Sequence, residues 1–275
     1  MRQSISAKAA LVICWLIVSS GVSAGVPEPW NFWLPCDVTI TESIDHGLWQ
    51  DFLDRVVVRD DQAAMNLVRY GSVSAADRML LDNYLLAMQA LDPRNHARSE
   101  QMAFWINLYN AVTVKVVLDH PDKRSIRDMG GGFFSRGPWN DKLITVAGEG
   151  LTLDDIEHRI LRPIWKDRRI HFALNCASIG CPELAADAYR ARNIEVMLDV
   201  AEISYLRSRR AVMFDNNEEL ALSSIFDWYA TDFAVDEQFL LSYLADHSDD
   251  VIARRLRAYR GPIRYQYDWS LNSSE

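Results

Sequence analysis

The chain has no excess of basic residues and little glycine or proline, and each shortage excludes a class of protein. Among 275 residues, 29 are Lys or Arg and 38 are Asp or Glu, which gives a formal charge of −9. A nucleic-acid-binding protein needs basic groups to neutralise phosphates, so this balance argues against that class. The 12 glycines and 9 prolines form no long linker. We therefore expect one domain rather than two.

Long apolar runs are also scarce, and the one near the N-terminus is too short to cross a bilayer. Arg2 and Lys8 precede an apolar stretch from Ala9 to Val18, whereas a membrane-spanning helix needs roughly 20 residues. The small residues Val-Ser-Ala follow at 22–24, as is typical before a signal-peptide cleavage site. An uncleaved anchor is the alternative.

These features predict a signal peptide over residues 1–24 and a single mature domain over residues 25–275. The predicted location is outside the cytoplasm, in the periplasm, with no stable membrane span after cleavage.

Cysteine is scarce too, and the mature domain would keep three: Cys36, Cys176 and Cys181. An exported protein meets an oxidising compartment. Cys176 and Cys181 enclose a short loop, so a structural disulfide between them is one prediction, although Cys36 could pair with either. A free thiol at Cys176 is the other.

Hydrophobic periodicity predicts more helix than strand. Ser74 is a candidate N-cap for a helix over residues 75–90, and Ser99 is a candidate N-cap for a second helix that ends near Leu118. The second helix is apolar nearly all round. A helix without a polar face is usually buried at the centre of a fold.

The following segments predict a further helix and short strands. We expect Thr152 to cap a helix from 153 to 161 that Arg162-Pro163 ends. The segment RIHFAL, residues 169–174, is predicted to be a strand that enters a loop at Asn175. Together the pattern predicts an α+β, helix-rich domain with a buried central helix and a small, mostly antiparallel sheet.

Polar residues concentrate in the segment HFALNCASIGCP, residues 171–182. Loops at strand ends often hold reactive groups. A cysteine is nucleophilic as a thiolate, and a histidine can act as its base. His171 and Cys176 point to opposite faces of a straight strand, so they meet only if the chain bends after Leu174.

Two predicted helices carry further polar clusters. Asp154 and His158 share a helix face, whereas Glu157 and His158 are adjacent, so only one of the latter pair is expected to face a given cleft. Acidic residues near a helix start could equally serve the helix dipole. Asn107 and Asn110 share a face of the apolar helix, where they could buttress a loop or line a site.

Common catalytic and cofactor motifs are missing. The sequence has no G-x-S-x-G elbow, no P-loop and no dinucleotide fingerprint. Its six histidines show no close pairing with cysteine of the kind that zinc sites use. A metal site made of His158, His171 and a cysteine would have to be assembled by the fold. We predict neither a cofactor nor a metal.

Five blocks of sequence, in order, resemble a known family. They are FWINLYNA (104–111), LTLDDIEHRILR (151–162), RIHFALNCASIGCPEL (169–184), LSSIFDWYATDF (222–233) and YDWSLN (267–272). From about residue 99 to 272 the chain resembles the secreted bacterial branch of the domain of unknown function 547 family. The resemblance implies a compact α+β domain whose recurrent polar residues correspond here to Asn107, Tyr109, Asn110, Glu157, His158, His171, Cys176 and Ser178.

A more remote similarity is to papain-like and transglutaminase-like enzymes. In those enzymes a central helix carries the nucleophilic cysteine and a later strand carries the histidine. The apolar helix of this chain has no cysteine, so Cys176 would have to act from the loop instead.

Two hypotheses follow. In the first, the protein is a secreted thiol-dependent hydrolase or acyl transferase with a peptide-like substrate. Its catalytic residues would be Cys176 as nucleophile, His171 or His158 as base, Glu157 orienting the imidazole and Asn107 donating to the oxyanion. Its binding residues would be Tyr109, Asn110, Asn175 and Ser178.

In the second hypothesis, the protein is a non-catalytic binding module of the cell envelope. Cys176 and Cys181 would then form a structural disulfide, and the polar cluster would be an internal hydrogen-bond frame. The partner would be an unidentified envelope or peptide-like ligand.

Overall fold

The structure is a computed structural model that describes residues 28–37, 39, 42–62, 64–132 and 136–275. The predicted signal peptide, residues 1–24, lies outside the described residues. Within the described ranges, no helix has both the length and the apolar character needed to cross a membrane.

Helices supply most of the regular structure, and the predicted helix-rich α+β class is confirmed. In chain order the helices are α1 (Gly47–Val56), α2 (Ala75–Gln89), α3 (Arg98–Asp119), a π-helix (Asp155–Leu161), α4 (Arg162–Trp165), α5 (Ile170–Ala173), α6 (Ile194–Leu206), α7 (Ile225–Trp228), α8 (Ala230–Phe233), α9 (Glu237–His247) and α10 (Asp250–Ala258).

The strands are short and fall into three small sheets instead of one. They are β1 (Val57–Asp60), β2 (Met65–Val68), β3 (Ile144–Val146), β4 (Glu149–Leu151), β5 (Val212–Phe214), β6 (Leu220–Ser223) and β7 (Ile263–Gln266). β1–β2, β3–β4 and β5–β6 pair antiparallel, and β7 joins β6 in parallel. The mostly antiparallel pairing is as predicted.

α3 is the buried central helix, as its apolar sequence predicts. Its buried residues run without a break from Glu100 to Val114. The predicted cap at Ser99 is wrong: the helix begins at Arg98, and extended backbone at Ala97 precedes it without a side-chain cap. Ser99 therefore lies inside the first turn. The predicted cap at Ser74 is confirmed, because its hydroxyl accepts a hydrogen bond from the Asp77 N–H.

The expected strand at 169–174 is wrong, because this segment contains the short helix α5. The Asp167 carboxylate accepts a hydrogen bond from the Arg169 N–H at 2.9 Å, and the Ile170 N–H reaches the Asp167 carbonyl. This local turn starts a helical conformation before any strand pairing is available. The apolar residues then pack on two sides, with Ile170 in the cluster around α3 and Phe172 in the cluster around α9.

The helix that begins after Thr152 also differs from the prediction. The Asp155 N–H donates to the Thr152 hydroxyl at 2.9 Å, so the predicted cap is present. Arg162-Pro163 does not end the helix, however. The Arg162 N–H bonds to the Glu157 carbonyl five residues earlier, and Pro163 then lies in the first turn of α4, where a missing N–H costs little.

Candidate functional site

A cavity of about 460 Å³ lies where α3, the π-helix, the loop after α5, and α7 meet the C-terminal segment, residues 267–272. Six of the sequence-predicted site residues line it: Tyr109, Glu157, His158, His171, Cys176 and Cys181. Its size suits a small-molecule or peptide-fragment ligand.

The chain bends after Leu174, and two asparagines hold the bend. Asn110 on α3 donates to the Ala173 carbonyl at 3.0 Å and accepts from the Asn175 N–H at 2.8 Å. Asn175 in turn donates to the Pro182 carbonyl and accepts from the Ala177 N–H. Both asparagines support the loop from behind, and neither lines the cavity.

The loop is strained and clamped against the C-terminal segment. Ala177 adopts a φ of 58°, a region that costs a residue with a Cβ about 1 kcal/mol or more. The N–H groups of Ile179 and Gly180 donate to the carbonyls of Ser270 and Asp268 at 2.8 Å. A Cβ on Gly180 would lie 2.8 Å from the Asp268 nitrogen, so this close approach requires glycine. The clamp brings Tyr267 beside Cys176.

Cys176 is partly exposed, and its sulfur has three polar contacts. The Sγ lies 3.0 Å from the Tyr267 hydroxyl, 3.3 Å from the Ser178 hydroxyl and 2.8 Å from the Cys181 Sγ. Burial opposes ionisation of Cys176, but these three contacts outweigh it and lower the pKa of the thiol. Within the described ranges, no imidazole forms a hydrogen bond with this sulfur.

The predicted Cys176–Cys181 disulfide is not formed, since Cys36, Cys176 and Cys181 are all free thiols in the structure. The two loop sulfurs are nevertheless in contact. Cys36 is exposed, whereas Cys181 is buried.

Glu157 is a buried carboxylate beside the thiol. The Tyr109 hydroxyl donates to its Oε2 at 3.3 Å. Burial would raise the pKa of Glu157, but the neighbouring imidazoles of His158 and His171 and the Tyr229 hydroxyl lower it to about 2. Glu157 is therefore ionised at neutral pH.

Glu157 and His158 both line the cavity, which corrects the expectation that only one of them could face it. That expectation assumed the 100° step of an α-helix. The segment forms a π-helix instead, and the cavity extends far enough around it to contact both side chains. π-helical turns are frequent at functional sites.

His171 lies between two carboxylates. Its Nε2 is 2.8 Å from the Asp232 Oδ2, and its Nδ1 is 3.7 Å from the Glu157 Oε1. The ring stacks on Tyr229 with centroids 4.1 Å apart. Arg162 holds Asp232 through two hydrogen bonds, at 2.7 and 3.0 Å. Asp232 and Tyr229 therefore hold the ring, whereas its buried Nδ1 makes no hydrogen bond to the described residues.

His158 is the more accessible imidazole, with 30% of its side chain exposed. The Arg162 guanidinium lies 3.1 Å from its Nδ1. A guanidinium only donates hydrogen bonds, so Nδ1 accepts and the proton of the neutral ring lies on Nε2. That nitrogen faces Asp154 at 3.7 Å, and burial raises the pKa of the Asp154 carboxyl.

Asn107 lies outside the cavity, so the structure does not support its expected role as oxyanion donor. Its amide donates to the Tyr189 carbonyl at 2.7 Å and accepts from the Tyr189 N–H at 3.0 Å. Ser178 is also fully buried, although its hydroxyl reaches the Cys176 sulfur. Of the predicted binding residues, only Tyr109 lines the cavity.

The prediction missed the aromatic wall and Asp232. Trp228, Tyr267 and Trp269 form a cluster with ring centroids 4.5–5.6 Å apart, and Arg127 stacks on Trp269. The signal was available: the blocks LSSIFDWYATDF and YDWSLN, already noted for the family resemblance, contain these residues.

No group of three or more His, Cys, Asp or Glu side chains is arranged to hold a metal ion in the described part of the chain.

Comparison with known proteins gives one match. The model of the family described as "Protein of unknown function, DUF547" matches residues 93–206, a segment that contains α3, the π-helix and the Cys176 loop. No curated protein matches the chain, and no solved structure matches it. The match to the DUF547 model covers three of the five sequence blocks noted above, those at 104–111, 151–162 and 169–184, in agreement with the resemblance read from them.

Proposed function

We propose that the protein is a thiol-dependent acyl-transfer enzyme, a hydrolase or an acyl transferase, that acts on a peptide-like substrate. One observation carries the proposal: a cysteine whose sulfur contacts two hydroxyls faces the same open cavity as two histidines and a buried carboxylate. Reactive cysteines need a partly exposed site in which the thiolate is stabilised, and Cys176 meets both requirements.

Cys176 is the nucleophile of this proposal. Its thiolate attacks the acyl carbon of the substrate, a sulfur–carbon bond forms, and the amine or alcohol leaves after taking a proton. Water, or an acceptor amine in a transferase, then attacks the thioester and restores the thiolate. The Ser178 and Tyr267 hydroxyls stabilise the thiolate at the start and end of the cycle.

His158 is the better of the two candidates for acid–base catalysis. The two nitrogens of His171 face Asp232 and Glu157, whereas His158 carries its proton on Nε2, beside Asp154 and partly exposed. To act as the acid, His158 must first take a second proton on Nδ1, in place of the hydrogen bond from Arg162. The imidazolium then gives its Nε2 proton to the leaving group, and the neutral ring takes a proton from the attacking water. His171 is then a positioning residue that holds Glu157 and Tyr229 in place.

The aromatic wall supports a peptide-like substrate. Trp228 and Trp269 line the cavity, and planar amide groups and apolar side chains can pack on such rings. Arg127 lies over Trp269 and lines the same cavity. Substrate binding and chemistry would therefore share one cavity.

Export remains part of the proposal. Residues 1–24 have the charge, apolar length and cleavage residues of a signal peptide. N-terminal sequencing of the protein recovered from an extracytoplasmic fraction should begin at Gly25. Recovery of the intact N-terminus from the cytoplasm would contradict export.

The rival hypothesis is a non-catalytic binding module with a permanent Cys176–Cys181 bond, and the contact between the two sulfurs favours it. A permanent bond would protect both thiols. The folded protein is incubated with reduced glutathione, then denatured, alkylated and analysed by mass. This distinguishes the two hypotheses, because a permanent bond resists the thiol, whereas the enzyme proposal expects label on Cys176.

The enzyme proposal is tested with a panel of activated esters, thioesters and peptide amides. Cys176→Ala should lower turnover by about 1,000-fold or more while the circular dichroism spectrum is unchanged. Cys36→Ala is the matched control, because Cys36 is exposed and outside the cavity. A folded Cys176→Ala protein with full activity would overturn the assignment.

A further inference from the structure

We infer that Cys176 and Cys181 form a reversible dithiol–disulfide pair that exchanges with disulfides of the glutathione class. Only the functional effect of the exchange rests on the proposed function: oxidation would bond the nucleophile to Cys181 and stop acyl transfer. The exchange itself needs no acyl substrate.

The two cysteines differ in exposure, as an attacking and a resolving thiol should. Both cysteines line the cavity, but Cys176 is partly exposed, so a small disulfide can reach it. Cys181 is only 3% exposed, and its sulfur contacts that of Cys176. An incoming disulfide therefore meets Cys176 first.

The geometry of the loop favours closure of the bond. The two sulfurs are 2.8 Å apart, so a bond of about 2.05 Å needs a shift of less than about 1 Å. The Cys176 N–H lies 2.9 Å from the Cys181 Sγ. This hydrogen bond points at the sulfur that must carry negative charge when Cys181 attacks.

The two thiols also differ in pKa, and the difference again makes Cys176 the attacking thiol. Burial raises the pKa of the Cys181 thiol, and its contact with Cys176 adds to the effect. The pKa of Cys176 is lowered instead. At neutral pH the outer sulfur is the better nucleophile, and the inner one stays protonated until the outer one has reacted.

The exchange has two steps. The Cys176 thiolate attacks one sulfur of a disulfide RSSR, a Cys176–SR bond forms, and RS⁻ leaves and is protonated. Cys181 then loses its proton, attacks the Cys176 sulfur and releases the second thiol. In sum, the protein dithiol loses two electrons and two protons, and RSSR becomes two RSH.

The experiment uses the full protein with Cys36→Ala, so that no third thiol competes. The protein is equilibrated in buffers of defined reduced-to-oxidised glutathione ratio, quenched with acid, alkylated and analysed by mass. We expect a species two hydrogens lighter than the dithiol, a linked peptide pair containing Cys176 and Cys181, and full reversal with excess reduced glutathione. No variant of either loop cysteine is needed for this part.

Two variants assign the roles of the sulfurs. In Cys181→Ser, a glutathione adduct should accumulate on Cys176, because the resolving thiol is gone. In Cys176→Ser, the buried Cys181 should stay unmodified while the protein is folded. A lasting glutathione adduct on Cys176 in the dithiol protein would overturn the role of Cys181, and unchanged thiols in fully oxidising buffer would overturn the whole inference.

The outcome is separable from that of the proposed function. Linked Cys176 and Cys181 in a protein inactive toward every ester and amide would support the redox pair and count against the enzyme. Activity that is unaffected by complete oxidation would show that Cys176 is not the nucleophile, whereas the mass measurement would still report the exchange.

Discussion

The Nε2 of His171 lies 2.8 Å from the Oδ2 of Asp232, 61 residues later in the chain. Arg162 holds the same carboxylate, and the side chains of His171, Asp232 and Arg162 are at most 12% exposed. The contact ties α5 to α8, and through Arg162 it reaches the start of α4. The back of the cavity is therefore held by one ion cluster.

Asp232→Asn should destabilise the fold. The substitution keeps the shape of the side chain but leaves Arg162 without its charge partner, a loss of about 3 kcal/mol for a buried pair. Urea unfolding followed by circular dichroism measures the change. The exposed Asp227 on α7 offers a matched control, since Asp227→Asn should change the free energy of unfolding by less than about 0.5 kcal/mol. Equal effects of the two substitutions would contradict the importance of the cluster.

The free energy of unfolding should fall in acid as Glu157 becomes protonated. Its pKa is about 2 in the folded protein and 4.5 ordinarily, so its contribution is fully present above pH 4.5 and is lost as the pH falls toward 2. The difference corresponds to about 3 kcal/mol. Unfolding free energies measured between pH 6 and pH 2.5 should show a shallower decline for Glu157→Gln.

The control for this measurement is Glu42→Gln, at an exposed position. It should leave the pH profile of the wild-type protein unchanged. A Glu157→Gln profile with the wild-type slope would show that this carboxylate gains nothing from its neighbours in the fold.

Asn110 and Asn107 form a matched pair on one face of α3. Each uses its amide to hold two backbone groups, so each alanine substitution should cost about 2 kcal/mol of stability. Only Asn110 supports the backbone before Cys176. Asn110→Ala should therefore slow alkylation of Cys176, and Asn107→Ala should not.

This comparison also tests the role expected for Asn107 from sequence. If Asn107→Ala removed turnover while Asn110→Ala kept it, Asn107 would act on the substrate after all, contrary to its place outside the cavity.

Tyr267 should set the ionisation of Cys176. Burial raises the pKa of Tyr267 well above its usual value, so its hydroxyl stays protonated and donates to the thiolate. Tyr267→Phe removes a hydrogen bond to a charged group and should raise the midpoint of Cys176 alkylation by about one pH unit. Tyr265→Phe is the control, because Tyr265 is exposed and does not line the cavity. If Tyr267→Phe left the midpoint of Cys176 alkylation unchanged, the Tyr267 hydroxyl would not stabilise the thiolate.

The sequence predicts the central helix α3 and the capped helix α2, because both depend on local signals. It does not predict α5. The apolar run 169–174 fits a strand as well as a helix buried on two sides, and only the contacts of Ile170 and Phe172 with separate clusters decide between them. The sequence does not predict the π-helix either, because its residues have the ordinary pattern of an α-helix.

The sequence predicted most of the polar residues that meet in the candidate cavity, but not which of them contact each other. His171, Cys176, Glu157 and His158 meet in one cavity, yet the partner of His171 is Asp232 rather than the cysteine. Asp232 follows Cys176 by 56 residues, and no spacing rule links such distant positions. Tertiary packing alone brings them to the same site.

The most direct test of the account is the pH dependence of Cys176 alkylation in the reduced, folded Cys36→Ala protein. Iodoacetamide labelling rates, read by peptide mass between pH 5 and pH 10, report the thiolate fraction. We expect a midpoint clearly below the ~8.5 of an unperturbed thiol. A midpoint at or above that value, or a thiol that reacts only after unfolding, would contradict it.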